Sequence, residues 1–315
     1  MDYRYTISEW LLFFFLYCFA GWCIESTYVS IHQHKLVNRG FMRGPFLPLY
    51  GSGAVMALFI TIPFRDSIPE MFVVGAIGAT ILEYFTGVIM EAIFKVRYWD
   101  YSDKKFNLNG HICLGTSIAW GFLTIALVKF IHAPVEQFVL RIPEKVQAGI
   151  AMVLTVIMAG DFALSFKAAL DIRDILVKME KAKEELERVQ TRLDAMIAFL
   201  YPREEQKEKT SKRQQISEIL QDIKKKFDLL QTDFEQEDSK AKENLVQSKK
   251  ELIQLREKYI IAREQRISLR ERLGFYKRSI LKSHPSINST KFKDALSELK
   301  TLSEDKKDKK KENHN

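Results

Sequence analysis

The chain has 315 residues, of which 47% are hydrophobic and 28% charged, and a net charge of +8 at pH 7. Residues 1–170 carry 13 Lys and Arg against 12 Asp and Glu, whereas residues 171–315 carry 35 against 28. This split excludes a single soluble globule, and the small number of cysteines, three in all, excludes a secreted disulfide scaffold.

Five apolar stretches in the first half are long enough to cross a bilayer, which takes about 20 mostly apolar residues. They cover residues 7–31, 44–64, 69–94, 112–132 and 146–170. The first lacks a signal-peptide cleavage pattern and is interpreted as a retained anchor. The second carries a motif that predicts a broken or re-entrant entry, made of Gly44, Pro45, Pro48, Tyr50 and Gly51. The sequence therefore predicts an all-α, polytopic membrane bundle of about five spans over residues 1–170.

The distribution of Lys and Arg among the loops predicts the orientation of the bundle. The loops on one side hold ten of these residues, against five on the other side. This bias predicts an N-terminus outside and a C-terminal region in the cytosol. The predicted location is the cell membrane, of the bacterial inner-membrane type, with a multi-pass chain.

Acidic side chains inside apolar spans are costly to bury and indicate function by default. The predicted spans one, three and five contain Glu25, Glu83, Glu91 and Asp161. A rise of about 1.5 Å per residue places all four in the half of the membrane predicted to face the cytosol, where loops add Arg39 and Asp100. These residues predict a polar site for a substrate or ion that opens to the cytosolic half. The alternatives are structural: an ion pair between Glu25 and Arg39, and a helix–helix hydrogen bond for Asp161.

Several spaced motifs occur in one order along the membrane half. They are Gly21–Glu25, Asn38–Phe41, Gly44–Gly51, Thr80–Tyr84, Arg97–Ser102 and Gly110–Leu114. Over roughly residues 10–135 this pattern resembles the CmpB-like family of ABC-transporter permeases. The resemblance implies a permease-like component, and it adds Asn107, which lies among the motifs, to the candidate site. The chain has no P-loop motif of its own, so the implied ATPase subunit would act in trans.

Heptad-like apolar seams follow the last predicted span, over residues 172–200, 216–234 and 252–280. Such seams predict cytosolic coiled-coil helices over residues 171–282. These helices either fold back as an antiparallel hairpin or pair with another chain, and the sequence favours a homo-oligomer through the coiled coil. A solvated spacer is the alternative. Residues 283–315 are predicted to be a basic, largely disordered tail, with one weak helix over residues 291–302.

The leading functional prediction is a permease-like transport component. One alternative is a membrane-anchored scaffold or sensor that acts through its coiled coil. The other is a membrane-embedded, lipid-modifying enzyme, with Glu83 or Glu25 as the acid–base group and Arg39 holding phosphate. The sequence shows no standard catalytic, zinc or dinucleotide motif, so we expect no cofactor and no metal, and the balance is against an enzyme. Membrane lipid and an ATPase subunit are the predicted partners, and the mixed charges of the second half argue against nucleic acid.

Overall fold

The computed structural model describes residues 5–200, 239–271 and 273–305 of the chain. The described residues form two compact units. The first unit comprises the described residues up to Asp174 together with those from Leu273 onward. The second unit comprises residues 175–200 and 239–271. The first unit contains the apolar helices and the candidate site.

The first apolar helix, α1, runs over Ile7–Gln33. Its start is set by a capping box, in which Thr6 Oγ1 accepts from the backbone of Glu9 and the Glu9 carboxylate accepts from the backbone of Thr6. This exchange satisfies two donors that a helix start otherwise leaves without partners. The helix ends at His34, which adopts a left-handed backbone conformation with φ of 48°.

The chain then re-enters the bundle without helical structure. The backbone N–H of Leu47 donates to the carbonyl of Cys18, in the middle of α1, at 3.0 Å. Helix α2, Pro48–Ile60, begins there with proline in its first turn, where the missing N–H costs nothing. Its 13 residues are too few to cross a bilayer as a helix. The predicted second stretch is therefore a broken entry followed by a short helix.

The remaining apolar helices are longer. Helix α3 runs over Ile68–Phe94. Helices α4, Leu114–Ala126, and α5, His132–Leu140, are joined by a π-helical turn into one run of 27 residues. Helix α6 runs over Glu144–Leu200 and continues into the second unit. Among the described residues, four helical runs (α1, α3, α4–α5 and α6) are long and apolar enough to cross a membrane, so the chain is a multi-pass membrane protein.

The loops after α1 and α3 lie at one end of the bundle, which we call the motif end. Phe41 of the first loop contacts Phe94, the last residue of α3, and Tyr98 of the second loop, with ring centroids 5.5 and 5.6 Å apart. The second loop contains a small antiparallel ribbon of β1, Asn107–Leu108, and β2, Ile112–Cys113. Three residues separate the paired Leu108 and Ile112, and two of them, Asn109 and Gly110, have positive φ, as in the type I′ turns of hairpins.

Residues 273–305, called the C-terminal segment below, pack against the motif end. The segment contains α8, Phe275–Ser283, and α9, Lys293–Asp305. An antiparallel bridge joins Arg97 to Asn288, with backbone hydrogen bonds of 2.7 and 2.9 Å. The segment has a small buried core made of Ile280, Leu281, Ile287, Phe292, Leu296 and Leu299. In the structure, residues 283–305 of the predicted tail contain α9 and several of these buried side chains, while residues 306–315 lie outside the described residues.

The second unit is helical in its described parts. It contains the end of α6 and helix α7, Ser239–Glu271. An ion pair of 3.1 Å joins Arg192 to Glu251, while residues 178–185 and 265–269 line one common pocket. The two helices are therefore antiparallel neighbours, which joins the first predicted seam to the third. The seam predicted over residues 216–234 lies outside the described residues.

Candidate functional site

A polar cluster lies where the broken entry meets α1. The Glu25 carboxylate of α1 accepts a 2.8 Å hydrogen bond from the Tyr50 hydroxyl of α2. Its second oxygen lies 3.6 Å from Nε of Arg39, in the loop before α2. The Arg39 backbone N–H donates to Ser26 Oγ at 3.0 Å, which holds the loop against α1. Two of the predicted site residues, Glu25 and Arg39, are thus brought together with Tyr50 of the broken-helix motif.

Glu83 of α3 lies in a second part of the same cluster. It is only 5% exposed, and its two oxygens accept from Trp120 Nε1 at 2.8 Å and from the Tyr101 hydroxyl at 3.2 Å. The ring of Trp120 also contacts the ring of Tyr50, with centroids 5.6 Å apart. Tyr50 of α2 and Trp120 of α4 therefore connect Glu83 of α3 to Glu25 of α1.

A pocket of about 350 Å³ adjoins this cluster. Glu25, Arg39 and Tyr50 supply polar groups to its wall. The rest of the wall is mainly apolar and aromatic, and includes Phe41, Leu82, Ile93, Phe94, Phe162 and Phe166. The volume and the lining, apolar with a few convergent polar groups, match those of small-molecule sites.

Three predicted site residues belong to a separate polar network, formed by the last turn of α3 and the second loop. Glu91 lies 2.8 Å from Nε of Arg97 and 3.2 Å from Nε2 of His111. Asp100 accepts from the backbone and hydroxyl of Ser102. Neither acid, nor Asn107, is among the residues that line the 350 Å³ pocket. The structure therefore does not bring these three residues into the pocket.

The pKa of Asp100 is lowered in this network. Burial alone would raise it, but the hydrogen bonds from Ser102 and from Asn288, together with the charge of Arg97, lower it by more. Asn107 braces the same loop, since its amide donates to the carbonyls of Ser102 and Lys104 and its oxygen accepts from the Gly110 backbone. These contacts give the network a shaping role at the motif end.

Asp161 of α6 holds the first loop. Its carboxylate accepts from the backbone N–H of Gly44 at 2.7 Å and, more weakly, from that of Arg43 at 3.4 Å. These N–H groups belong to the broken entry, where the backbone is not helical and supplies no carbonyl acceptor of its own turn. The hydrogen bond predicted for Asp161 as an alternative is thus made to a loop and not between helices.

We expect Asp161→Ala to lower the free energy of unfolding of the membrane half by about 1–3 kcal/mol, since it removes a charged acceptor from two backbone donors. Asp161→Asn keeps one acceptor oxygen and should lose less. Thermal unfolding in mild detergent measures both, and equal losses for the two variants would contradict the hydrogen-bonding role.

Comparison with known families agrees with this architecture. Residues 12–166 match the family model described as Putative ABC-transporter type IV. The membrane half of the chain belongs to this CmpB-type family. The match contains Glu25, Arg39, Tyr50 and Glu83 and ends before the second unit. No curated protein and no solved structure matches the chain.

The C-terminal segment adds one wall to the pocket of the CmpB-type half, and the sequence does not predict this contact. His284 lines the pocket, and its ring meets that of Tyr98 at 4.8 Å. Arg39 Nη1 donates to the Ser283 carbonyl at 3.1 Å, and the Ser283 hydroxyl donates to the Gly40 carbonyl at 3.3 Å. In the sequence, the apolar residues that follow His284 are the one available signal of this packing.

Burial, aided by the charge of Arg39, lowers the pKa of His284 to about 3. A released segment would carry an ordinary histidine with a pKa of about 6.5. Below that pH the released form takes up a proton that the packed form does not. Packing should therefore be strongest above pH 6.5 and weaken by up to about 1.4 kcal/mol per pH unit as the pH falls toward 3.

Hydrogen exchange of residues 284–305 at pH 7.5 and 5.5, corrected for intrinsic rates, measures this weakening. We expect faster exchange at pH 5.5 in the wild type, and no such difference in His284→Gln. Asp100 does not interfere, because its lowered pKa places its titration below this window. Equal protection of the wild type at both pH values would contradict the prediction.

A second buried polar cluster of the CmpB-type half was missed entirely. Near the opposite end of the bundle, His132 Nδ1 lies 2.8 Å from the Tyr17 hydroxyl and Nε2 lies 3.1 Å from the Tyr5 hydroxyl, which also donates to Glu136. The predicted fourth span stopped at His132, whereas the helical run continues to Leu140. The spacing of four residues between His132 and Glu136 was the available signal.

Proposed function

We propose that this protein is the membrane-spanning, permease-like component of a transport system, and that the pocket beside Glu25, Arg39 and Tyr50 holds the transported molecule or ion. The observation that carries the proposal is the polar cluster that joins Glu25 to Glu83 inside an apolar bundle. Buried carboxylates in a membrane are expensive and are typically retained for function. The CmpB-type family of the membrane half gives independent support.

The pocket's composition supports a cargo of mixed character. Glu25 and Arg39 offer both signs of charge within one ion pair, while the aromatic side chains offer an apolar surface. A molecule with a polar end and an apolar body would satisfy both parts of the wall. Glu91, Asp100, Asn107 and Asp161 are assigned to shaping the entrance and the broken helix, in support of the pocket.

The proposal includes an orientation and partners. The Lys and Arg distribution supports a C-terminal region in the cytosol of a cell, with the pocket opening to the cytosolic half of the membrane. An ATPase subunit in trans would supply the energy, since the chain has no P-loop motif. Lipid surrounds the apolar helices, and the predicted homo-oligomer involves the helical half.

Complementation of a deletion strain tests the proposal. Metabolites are measured inside cells and in the medium, and the affected compound identifies the cargo. We expect the wild type and the control Glu70→Gln, which changes an exposed acid on the same helix as Glu83, to restore its distribution. Glu25→Gln and Glu83→Gln should fail to restore it although they are present at normal levels. Normal complementation by both pocket variants would contradict the proposal.

Affinity purification of the full-length protein from the same membranes tests the partner. We expect a nucleotide-binding subunit in comparable amount, which hydrolyses ATP in the purified complex. A deletion that changes only the membrane lipids would instead favour the lipid-modifying enzyme. Recovery of non-transport partners alone, with silent pocket variants, would favour the scaffold.

A further inference from the structure

Helix α7 carries a repeat with a period of seven residues. Ile253, Ile260 and Ile267 each begin the pattern Ile, any residue, Leu or Ala, Arg, Glu. The Arg positions are 256, 263 and 270, and the Glu positions are 257, 264 and 271. A heptad repeat keeps each of these residue types on one side of the helix.

The repeat places apolar residues on two opposite faces. Leu255, Ala262 and Leu269 are buried, with 3%, 0% and 7% of their surface exposed. The three isoleucines lie two positions earlier, about 200° away around the helix. They are 51%, 43% and 45% exposed, so α7 is packed on one face and presents an apolar stripe on the other. We call Ile253, Ile260 and Ile267 the isoleucine stripe.

The charges beside the stripe are arranged with opposite signs on its two edges. In each repeat Arg follows Ile by three positions and Glu by four, so Arg lies on one edge and Glu on the other. When two such helices face each other in parallel about a two-fold axis, the Arg edge of one meets the Glu edge of the other. In an antiparallel pair, Arg would meet Arg and Glu would meet Glu, which is unfavourable. The pattern is self-complementary only in the parallel arrangement.

We propose that the isoleucine stripe is the docking surface for a second copy of this chain, which binds through the same stripe in parallel and in register. Each repeat places one Ile at the centre of the contact with its Arg and Glu on the two edges, and two-fold dimers are the commonest closed oligomers. The proposal rests on the homo-oligomer in the proposed function. It adds which face of α7 lies in the contact and that the two helices run parallel. The seam predicted over residues 252–280 runs through the buried Leu255, Ala262 and Leu269, so the isoleucine stripe is a different face of the helix.

Cysteine cross-linking of the full-length protein in native membranes tests the arrangement. Ile253→Cys, Ile260→Cys and Ile267→Cys are made singly and treated with a mild oxidant. In a parallel, in-register pair each position faces its own copy, so all three variants should form disulfide-linked dimers. Antiparallel pairing would link Ile260→Cys alone. The matched control is Ile261→Cys, a neighbouring isoleucine that is 47% exposed but lies about 100° away, and the wild type controls for native cysteines.

The mass of the detergent-solubilised protein, measured by light scattering, gives a second test. We expect a dimer for the wild type and for Ile261→Ser, and at least tenfold weaker association when all three stripe isoleucines are changed to Ser. A monomeric wild type, including one whose stripe another segment of the same chain covers, would overturn the proposal, as would equal cross-linking at residue 261. These readouts do not involve transport, so a monomer that still complements the deletion strain would leave the proposed function intact.

Discussion

Adding one methyl group at Gly51 is expected to lower the free energy of unfolding of the membrane half by about 1–3 kcal/mol. A Cβ at this position would overlap the Cys18 sulfur and lie 2.7 Å from the Phe14 carbonyl oxygen. The carbonyl belongs to the backbone of α1, so it cannot turn away as a flexible side chain could. Gly51→Ala therefore forces α1 and α2 apart at the point where the broken entry becomes helical. Unfolding in detergent, followed by heat or by titration with a denaturing detergent, measures the loss.

The matched control lies two residues further along the same helix. A Cβ at Gly53 would have Leu82 Cδ2 as its nearest neighbour, at an ordinary 3.8 Å. Because alanine is a better helix former than glycine, Gly53→Ala should be neutral or stabilising by about 0.5–1 kcal/mol. Equal destabilisation by both substitutions would show that α1 and α2 are not in close contact at Gly51.

Glu83→Ala is expected to cost about 2–4 kcal/mol of stability, because it leaves two partly buried donors, Trp120 Nε1 and the Tyr101 hydroxyl, without their acceptor. Glu83→Gln keeps one oxygen and nearly the same volume, so its loss should be about half as large. Comparison of the two variants separates the effect of the hydrogen bonds that Glu83 accepts from the effect of its charge. If the charge serves transport, Glu83→Gln remains folded but inactive.

Glu70→Ala is the control for this pair, since Glu70 is an exposed acid in the first turn of the same helix. Its effect should stay within about 0.5 kcal/mol, as for most surface substitutions. A loss at Glu83→Ala no larger than that at Glu70→Ala would contradict the assignment of Glu83 to a hydrogen-bonded interior site.

The membrane half could be predicted largely because its determinants are local. Proline lacks an N–H, so Pro45 and Pro48 alone predict the broken entry that the structure contains. The acids could be placed along the helices from the rise per residue. The rise per residue gives the depth of a side chain but not which side chains of other helices lie beside it. In the structure, Glu91 and Asp100 contact Arg97 and His111, and they do not line the pocket with Glu25.

The contacts that could not be predicted join distant parts of the chain. Arg39 and Ser283 are separated by 244 positions, and no periodicity or spacing links them. The same holds for Tyr5 and His132, which are 127 positions apart. For the helical half, the seam pattern identifies the apolar face of each helix but not the helix that packs against it. It therefore does not predict that residue 192 pairs with residue 251 of the same chain.

The pocket wall contributed by His284 has a consequence for biosynthesis. This residue is translated about 120 residues after Phe166, the wall residue that precedes it in the chain. At roughly 5–20 residues per second, the ribosome needs on the order of 6–24 s to cover that distance. During this interval the inserted helices form a cavity that lacks the wall contributed by His284. A nascent chain that stalls in the helical half does not acquire this wall. The cavity is therefore closed only in chains whose helical half has been translated completely.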